Sequence, residues 1–278
     1  MKMKALNAIT IDVEEWHHVC LAGADRLPVA GERRVRRNVE LILALLQRAG
    51  ARGTFFILGS VAAEEPELAP MIAAAGHEIA SHGWSHRLVN QLSPAEFRDE
   101  IERTGDLLER QCGVRPVGFR APQWSLSRSA TPWAFEILAQ CGYLYDSSLN
   151  PLPFVGDPRG GLAPFRMDTP AGGLLEIPPL VLPTLLGNLP VGGGWGFRFF
   201  PQCAIVRAIR RQNRLGAPAV LYLHPREVDP LGPRLELPPL QSFAAYGTRK
   251  DASDRLGALL GDFQFTTLGD LAERWDSA

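Results

Sequence analysis

The stretch TIDVEEW, Thr10 to Trp16, places three carboxylates where a strand should end. Leading into it, Leu6, Ala8, Ile9, Ile11 and Val13 form the near-continuous apolar run of a parallel strand covered on both faces. Burying ionised Asp12, Glu14 or Glu15 without a partner is very costly, so residues elsewhere in the chain must offset them. Alternation along a strand sends Asp12 and Glu14 off the same face. The stretch therefore predicts a covered strand over 6–13 whose exit carries two acids and requires something positive beside them.

Outward from this strand, short apolar runs alternate with helical patterns. Further strands are expected over 53–58, 77–81, 117–120, 219–224 and 263–267, and helices over 35–49, 67–75, 94–111, 132–140 and 201–215. Ser93-Pro94 supplies a cap and a first-turn proline, while Gly50, Gly76, Gly113, Gly142 and Gly216 stand where helices should stop. Parallel strands joined by helical crossovers follow, as an open sheet or a closed barrel in one domain. The exception is Asn150 to Gly196, dense in proline and glycine, with GDPRGG, EIPPLVLP and VGGGWG. Its interleaved apolar residues argue for an ordered elaboration over the active face rather than disorder.

With 278 residues, 46% of them hydrophobic, the chain can bury a large single core. A formal net charge of -1 gives no electrostatic case for a nucleic-acid partner. No apolar run approaches a membrane span, and MKMKALNAIT leads straight into the first strand, so the expected location is cytoplasmic. The four cysteines, Cys20, Cys112, Cys141 and Cys203, lack paired short spacings and read as reduced structural thiols.

Three segments can supply partners for the acids. GHEIASHGWSH, Gly76 to His86, carries His82 and His86 four apart beyond a short strand, close enough to share one ion. Two histidines and a carboxylate with positions left for water form a catalytic-type metal site. His77 starts that strand and belongs at its other end. GFRAPQW, Gly118 to Trp124, ends a strand with Arg120, which if buried needs a carboxylate partner. VLYLHPREVDP, Val220 to Pro230, closes an apolar strand with His224. Several polar groups at successive strand ends mark the edge of an α/β fold where active sites are built.

The order and wording of these segments resemble the polysaccharide deacetylase family, also called NodB-homology or carbohydrate esterase family 4. TIDVEE resembles its first motif, SHGWSH the His-x-x-x-His metal pair, RAPQW the Arg-x-Pro motif, YDSSL (Tyr145 to Leu149) the fourth and LYLHP the Leu-x-His motif. DVEE, TFFILG, GGGWG and HPREVDP resemble more closely the subgroup associated with exosortase (PEP-CTERM) exopolysaccharide loci. The resemblance implies a deformed (β/α) barrel of about seven parallel strands with surrounding helices. It implies Asp12 as general base, Glu14, His82 and His86 as ligands of a divalent metal (zinc by default), and Arg120 as the group holding Asp12. It further implies the backbone N–H of Gln123 as oxyanion donor, His224 as general acid and Asp146 as the residue orienting His224. Most of the family has adjacent aspartates where this chain has Asp12 and Glu14; Glu15 is a rival ligand if the strand bulges there.

The expected chemistry is hydrolysis of an amide by metal-activated water, with an aspartate base and a histidine acid on different strand ends. The expected substrate is an N-acetylated sugar, as polysaccharide or precursor, in exopolysaccharide biosynthesis. Trp16, Trp84, Trp124 and Trp195 are candidates for stacking on sugar rings, or for packing loops against the barrel rim. Two alternatives stand beside this: an amidohydrolase of a small linear or cyclic amide on the same scaffold, and a non-catalytic glycan-binding relative.

Overall fold

The computed structural model describes residues 5–19, 32–153, 155–248 and 251–276; Cys20 lies outside them. β1 (Leu6–Val13) is buried over seven of its eight residues, as its apolar run requires. Through the first half of the chain follow α1 (Val35–Ala49), β2 (Thr54–Ile57), α2 (Gly59–Glu64), α3 (Leu68–Ala74), β3 (Glu78–Ser81), α4 (Pro94–Cys112), β4 (Gly118–Phe119), α5 (Pro132–Gln140) and β5 (Tyr145–Asp146). The second half supplies β6 (Phe165–Thr169), β7 (Gly172–Glu176), β8 (Leu182–Thr184), β9 (Gly187–Leu189), α6 (Gly194–Phe199), α7 (Gln202–Arg214), β10 (Val220–Leu223), α8 (Pro239–Tyr246), α9 (Ser253–Asp262), β11 (Gln264–Thr266) and α10 (Leu268–Asp276).

The main sheet runs β10-β1-β2-β3-β4-β5-β7-β6, with β11 pairing the start of β1. All its pairings are parallel except β6 with β7. The result is a mixed α/β fold built on a curled, mostly parallel sheet. Its two ends approach one another through the chain leaving β7. Ile177 N–H donates to the Asp146 carbonyl at 2.8 Å, and Leu180 N–H donates to the Val220 carbonyl at 2.8 Å. Residues 150–196 thus do more than the expected elaboration. They add β6 and β7 to the sheet and span toward β10, while β8 and β9 form a separate hairpin.

The helices form for legible reasons. In α1, Val35, Val39, Ile42 and Leu46 recur at helical spacing and are all buried in the main core. Each such burial contributes about 1.5–3 kcal/mol. α4 begins at a reciprocal capping box between Ser93 and Glu96, with Pro94 at the first position, and stops at Gly113, whose φ of 76° suits glycine. The glycines expected to end helices all have positive φ. Among the described residues no helix is long and apolar enough to cross a membrane.

Candidate active site

The parallel strands deliver Asp12 and Glu14 (β1), His82 (after β3), Arg120 (after β4) and His224 (after β10) to one end of the sheet, their C-terminal end. His77 sits at the other end, where its Nδ1 accepts the Gly53 N–H at 3.1 Å.

Glu14, His82 and His86 each offer a ligand atom, and the three atoms lie within 4.8 Å of one another. Glu14 Oε2 is 2.7 Å from His86 Nε2. His82 Nδ1 is 2.7 Å from the Arg120 carbonyl. A carbonyl can only accept, so Nδ1 carries the proton and Nε2 keeps its lone pair for a cation. Burial holds His82 down to about 4, and therefore neutral. Burial pushes the Glu14 carboxyl up, but His86, Arg226 and His224 outweigh it and hold the group well below its ordinary value. A carboxylate and two imidazoles fit a divalent ion of the zinc type.

Glu15 is excluded from this set by another task. Its carboxylate accepts the backbone N–H groups of Arg34 (2.9 Å) and Val35 (3.1 Å), and so caps α1, whose own N-cap residue Arg34 makes no side-chain cap. β1 stays regular to Val13 and hands Glu14 to the histidines. His18, rather than ligating, stacks on His86 at 5.3 Å.

Arg120 is fully buried and its donors are well used. Nη1 is 2.7 Å from both Asp12 Oδ1 and Thr10 Oγ1, Nη2 reaches Ser147 Oγ at 2.9 Å, and Nε reaches the Ser147 carbonyl at 3.0 Å. Asp12 Oδ2, the oxygen not held by Arg120, faces His224 Nε2 at 3.9 Å. Beyond Arg120, Gln123 (φ 53°) and Trp124 (φ 57°) are left-handed. With His86 (φ 61°) they are the only non-glycine residues of positive φ among the described residues, and all three sit in site loops. Such conformations cost energy and persist where packing over-determines them.

Two expectations need correction. Asp146 does not orient His224. Its Oδ1 accepts from Ser148 Oγ at 2.5 Å, and strand pairing sets it opposite Glu176 of β7. The carboxylate beside His224 Nδ1 is Glu227, at 3.8 Å, which also accepts the His224 backbone N–H at 3.2 Å. The tryptophans divide as well. Trp84 is committed to packing: Arg103 lies 3.5 Å over its ring, and a side chain at Gly59 would strike it. Trp195 joins a cluster with Phe199, Phe200 and Phe243. Trp124, 9% exposed, stands between Arg120 and Tyr222 as a wall of the site. Trp16, Arg226, Glu227 and Arg234 line a small surface pocket that adjoins Glu14 through Arg226.

Sequence reasoning missed Arg226, which pairs with Glu14, and Glu227, which pairs with Arg198 at 3.3 Å. Glu227 left a signal: His-Pro-x-Glu has capping-box spacing, and the Glu227 carboxylate accepts the His224 backbone N–H. Glu176 left one too, since GGLLE ends an apolar strand with an acid, as TIDVEE does.

Residues 25–145 match the model of the polysaccharide deacetylase family, and residues 147–273 match a domain of unknown function, DUF3473. Over residues 25–145 the chain is similar to the polysaccharide deacetylase family. The boundary between the two matches falls within β5, and β5 pairs with β7, so both segments build the same sheet. The peptidoglycan-N-acetylglucosamine deacetylase of Bacillus cereus is 33% identical over 95 residues, 34% of each chain. The aligned region spans about a third of the length of the curated relatives it matches. Among solved structures, the peptidoglycan deacetylase PdaC of Bacillus subtilis aligns with a TM-score of 0.54 at 17% identity, covering 99% of this chain and 95% of that one. The PuuE allantoinase aligns with a TM-score of 0.65 at 20% identity, covering 98% and 90%. At these identities the likeness is one of fold.

Proposed function

We propose that the chain is a metal-dependent N-deacetylase acting on an N-acetylated sugar, as polysaccharide or precursor, in exopolysaccharide biosynthesis. The observation that carries this reading is the meeting of Asp12, Glu14, His82, His86, Arg120 and His224 at one strand-end edge. Glu14, His82 and His86 hold the metal, with zinc the natural occupant of this donor set. A divalent ion there supplies Lewis acidity to the acyl oxygen and to water. Asp12, fixed through Oδ1 by Arg120, takes the proton of the attacking water at Oδ2. The Gln123 N–H, at the left-handed turn beyond Arg120, donates to the tetrahedral oxyanion; one such donor is typically worth about 100- to 1000-fold in rate. His224 Nε2 protonates the departing sugar nitrogen, with Glu227 rather than Asp146 at its other ring nitrogen.

DVEE, TFFILG, GGGWG and HPREVDP support assignment to the exosortase-associated exopolysaccharide subgroup. The test is acetate release from a panel of N-acetylhexosamine oligosaccharides by metal-stripped protein, with and without added zinc. Zinc-dependent release is the expected result. No release by folded, zinc-loaded protein across the panel overturns the reading.

A further inference from the structure

The mechanism above leaves a pair of acids unused in the least accessible part of the site wall. Asp146 ends β5, Glu176 ends β7, the two are directly registered, and both are fully buried. Each commits one oxygen to the turn that follows β5: Asp146 Oδ1 accepts from Ser148 Oγ, and Glu176 Oε1 accepts the Leu149 N–H at 3.0 Å. The remaining oxygens, Asp146 Oδ2 and Glu176 Oε2, are buried with no donor assigned to them. Two buried acceptors registered side by side cannot both be ionised cheaply, and a single proton between them satisfies both. Burial, together with the neighbouring Asp146 charge, pushes the Glu176 carboxyl well up, while burial lifts Asp146 to about 6.

The turn these acids hold is the one that grips the catalytic apparatus. Ser147 takes two bonds from Arg120, and its hydroxyl donates onward to the Ile177 carbonyl at 2.8 Å. Ser148 Oγ accepts the Ala121 N–H at 2.8 Å, two residues before Gln123. We infer that Asp146 and Glu176 share one proton and act as a positioning pair. Through Ser147, Ser148 and Leu149 they set the placement of Arg120, hence of Asp12, and of the 121–123 loop. This rests on the deacetylase reading for its kinetic test, but not for its spectroscopic one.

The experiment compares kcat, KM and zinc affinity for Glu176→Gln, Glu176→Leu and Ser148→Ala. The amide introduced by Glu176→Gln mimics the protonated acid and donates to Asp146, so kcat should stay within about threefold of the parent. Leucine removes the acceptor and the shared proton; kcat should fall roughly 10- to 100-fold, with KM and zinc affinity unchanged, as expected of misplaced rather than missing groups. Ser148→Ala keeps the pair but cuts its link to Ala121 and should also lower kcat. Unchanged kcat in folded Glu176→Leu, or equal losses in the Glu176→Gln and Glu176→Leu variants, overturns the inference. If the leucine variant does not fold, full kcat in Ser148→Ala does the same. If the parent protein releases no acetate, the deacetylase reading fails, and infrared spectroscopy decides the pair alone. A protonated-carboxyl band at neutral pH that disappears in Glu176→Gln supports it, and absence of that band in the parent overturns it.

Discussion

Arg120 donates to Asp12 at 2.7 Å through a guanidinium that has no contact with solvent. The pair explains how a carboxylate can end a covered strand: β1 brings the acid, and the residue just after β4, on the far side of β2 and β3, brings the counter-charge. It also divides the carboxylate into a held oxygen and a working one. Asp12→Asn keeps the size and the Arg120 contact but cannot take a proton. Turnover should drop about 100- to 10,000-fold while zinc stoichiometry stays at that of the parent. Substantial residual turnover would show that some other group is the base.

The metal prediction separates ligands from their support. Replacing Glu14, His82 or His86 by alanine should abolish stoichiometric zinc binding and activity together, as read by metal analysis after dialysis. Asp12→Asn and His224→Ala, whose side chains lie beside the triad but outside it, should keep the zinc. Retention of tight zinc by both His82→Ala and His86→Ala would remove the triad from consideration.

Glu15 gives the complementary test. Its carboxylate satisfies two of the free N–H groups that open α1, and the helix's own N-cap residue offers no side-chain bond. Glu15→Ala should cost about 1–2 kcal/mol in denaturant unfolding, the usual worth of a lost cap, and leave zinc binding intact. Loss of zinc without loss of stability would reverse the roles assigned here to Glu14 and Glu15.

What the sequence reveals follows the range of the interactions. Strands and helices with strong periodicity, such as β1 and α1, are legible because burial pattern alone defines them. The metal triad is legible because a carboxylate and a spaced histidine pair carry their chemistry in residue type. The β6–β7 hairpin is hidden because β6, though it alternates between intermediate and exposed residues, has no fully buried one, and β7 opens on two exposed glycines. The partner of Asp146 is hidden for a different reason. Which acid it meets depends on β5 lying beside β7, a long-range pairing that no local pattern encodes. Trp84 misleads because an aromatic in a site loop looks the same whether its face awaits a sugar or already carries Arg103.

Glu227 yields a pH prediction with a definite sign. Burial pushes its carboxyl up, but Arg198, His224 and Arg226 outweigh this and hold it at about 2, against an ordinary 4.5. A carboxyl depressed on folding contributes its stability in full above the unfolded value. That contribution is lost as pH falls from about 4.5 to about 2, where the unfolded chain binds a proton that the folded one does not. For this fully buried group the contribution is on the order of 3 kcal/mol. Glu227→Gln should be less stable than the parent at pH 7, because Arg198 keeps its charge and loses its partner. It should also lose less on acidification from about pH 4.5 to about pH 2.5, the window in which the parent's carboxylate is being titrated. Denaturant titrations of metal-stripped protein at both pH values measure this difference. Parallel losses in the parent and in Glu227→Gln would mean that Glu227 is not the buried anion that braces His224.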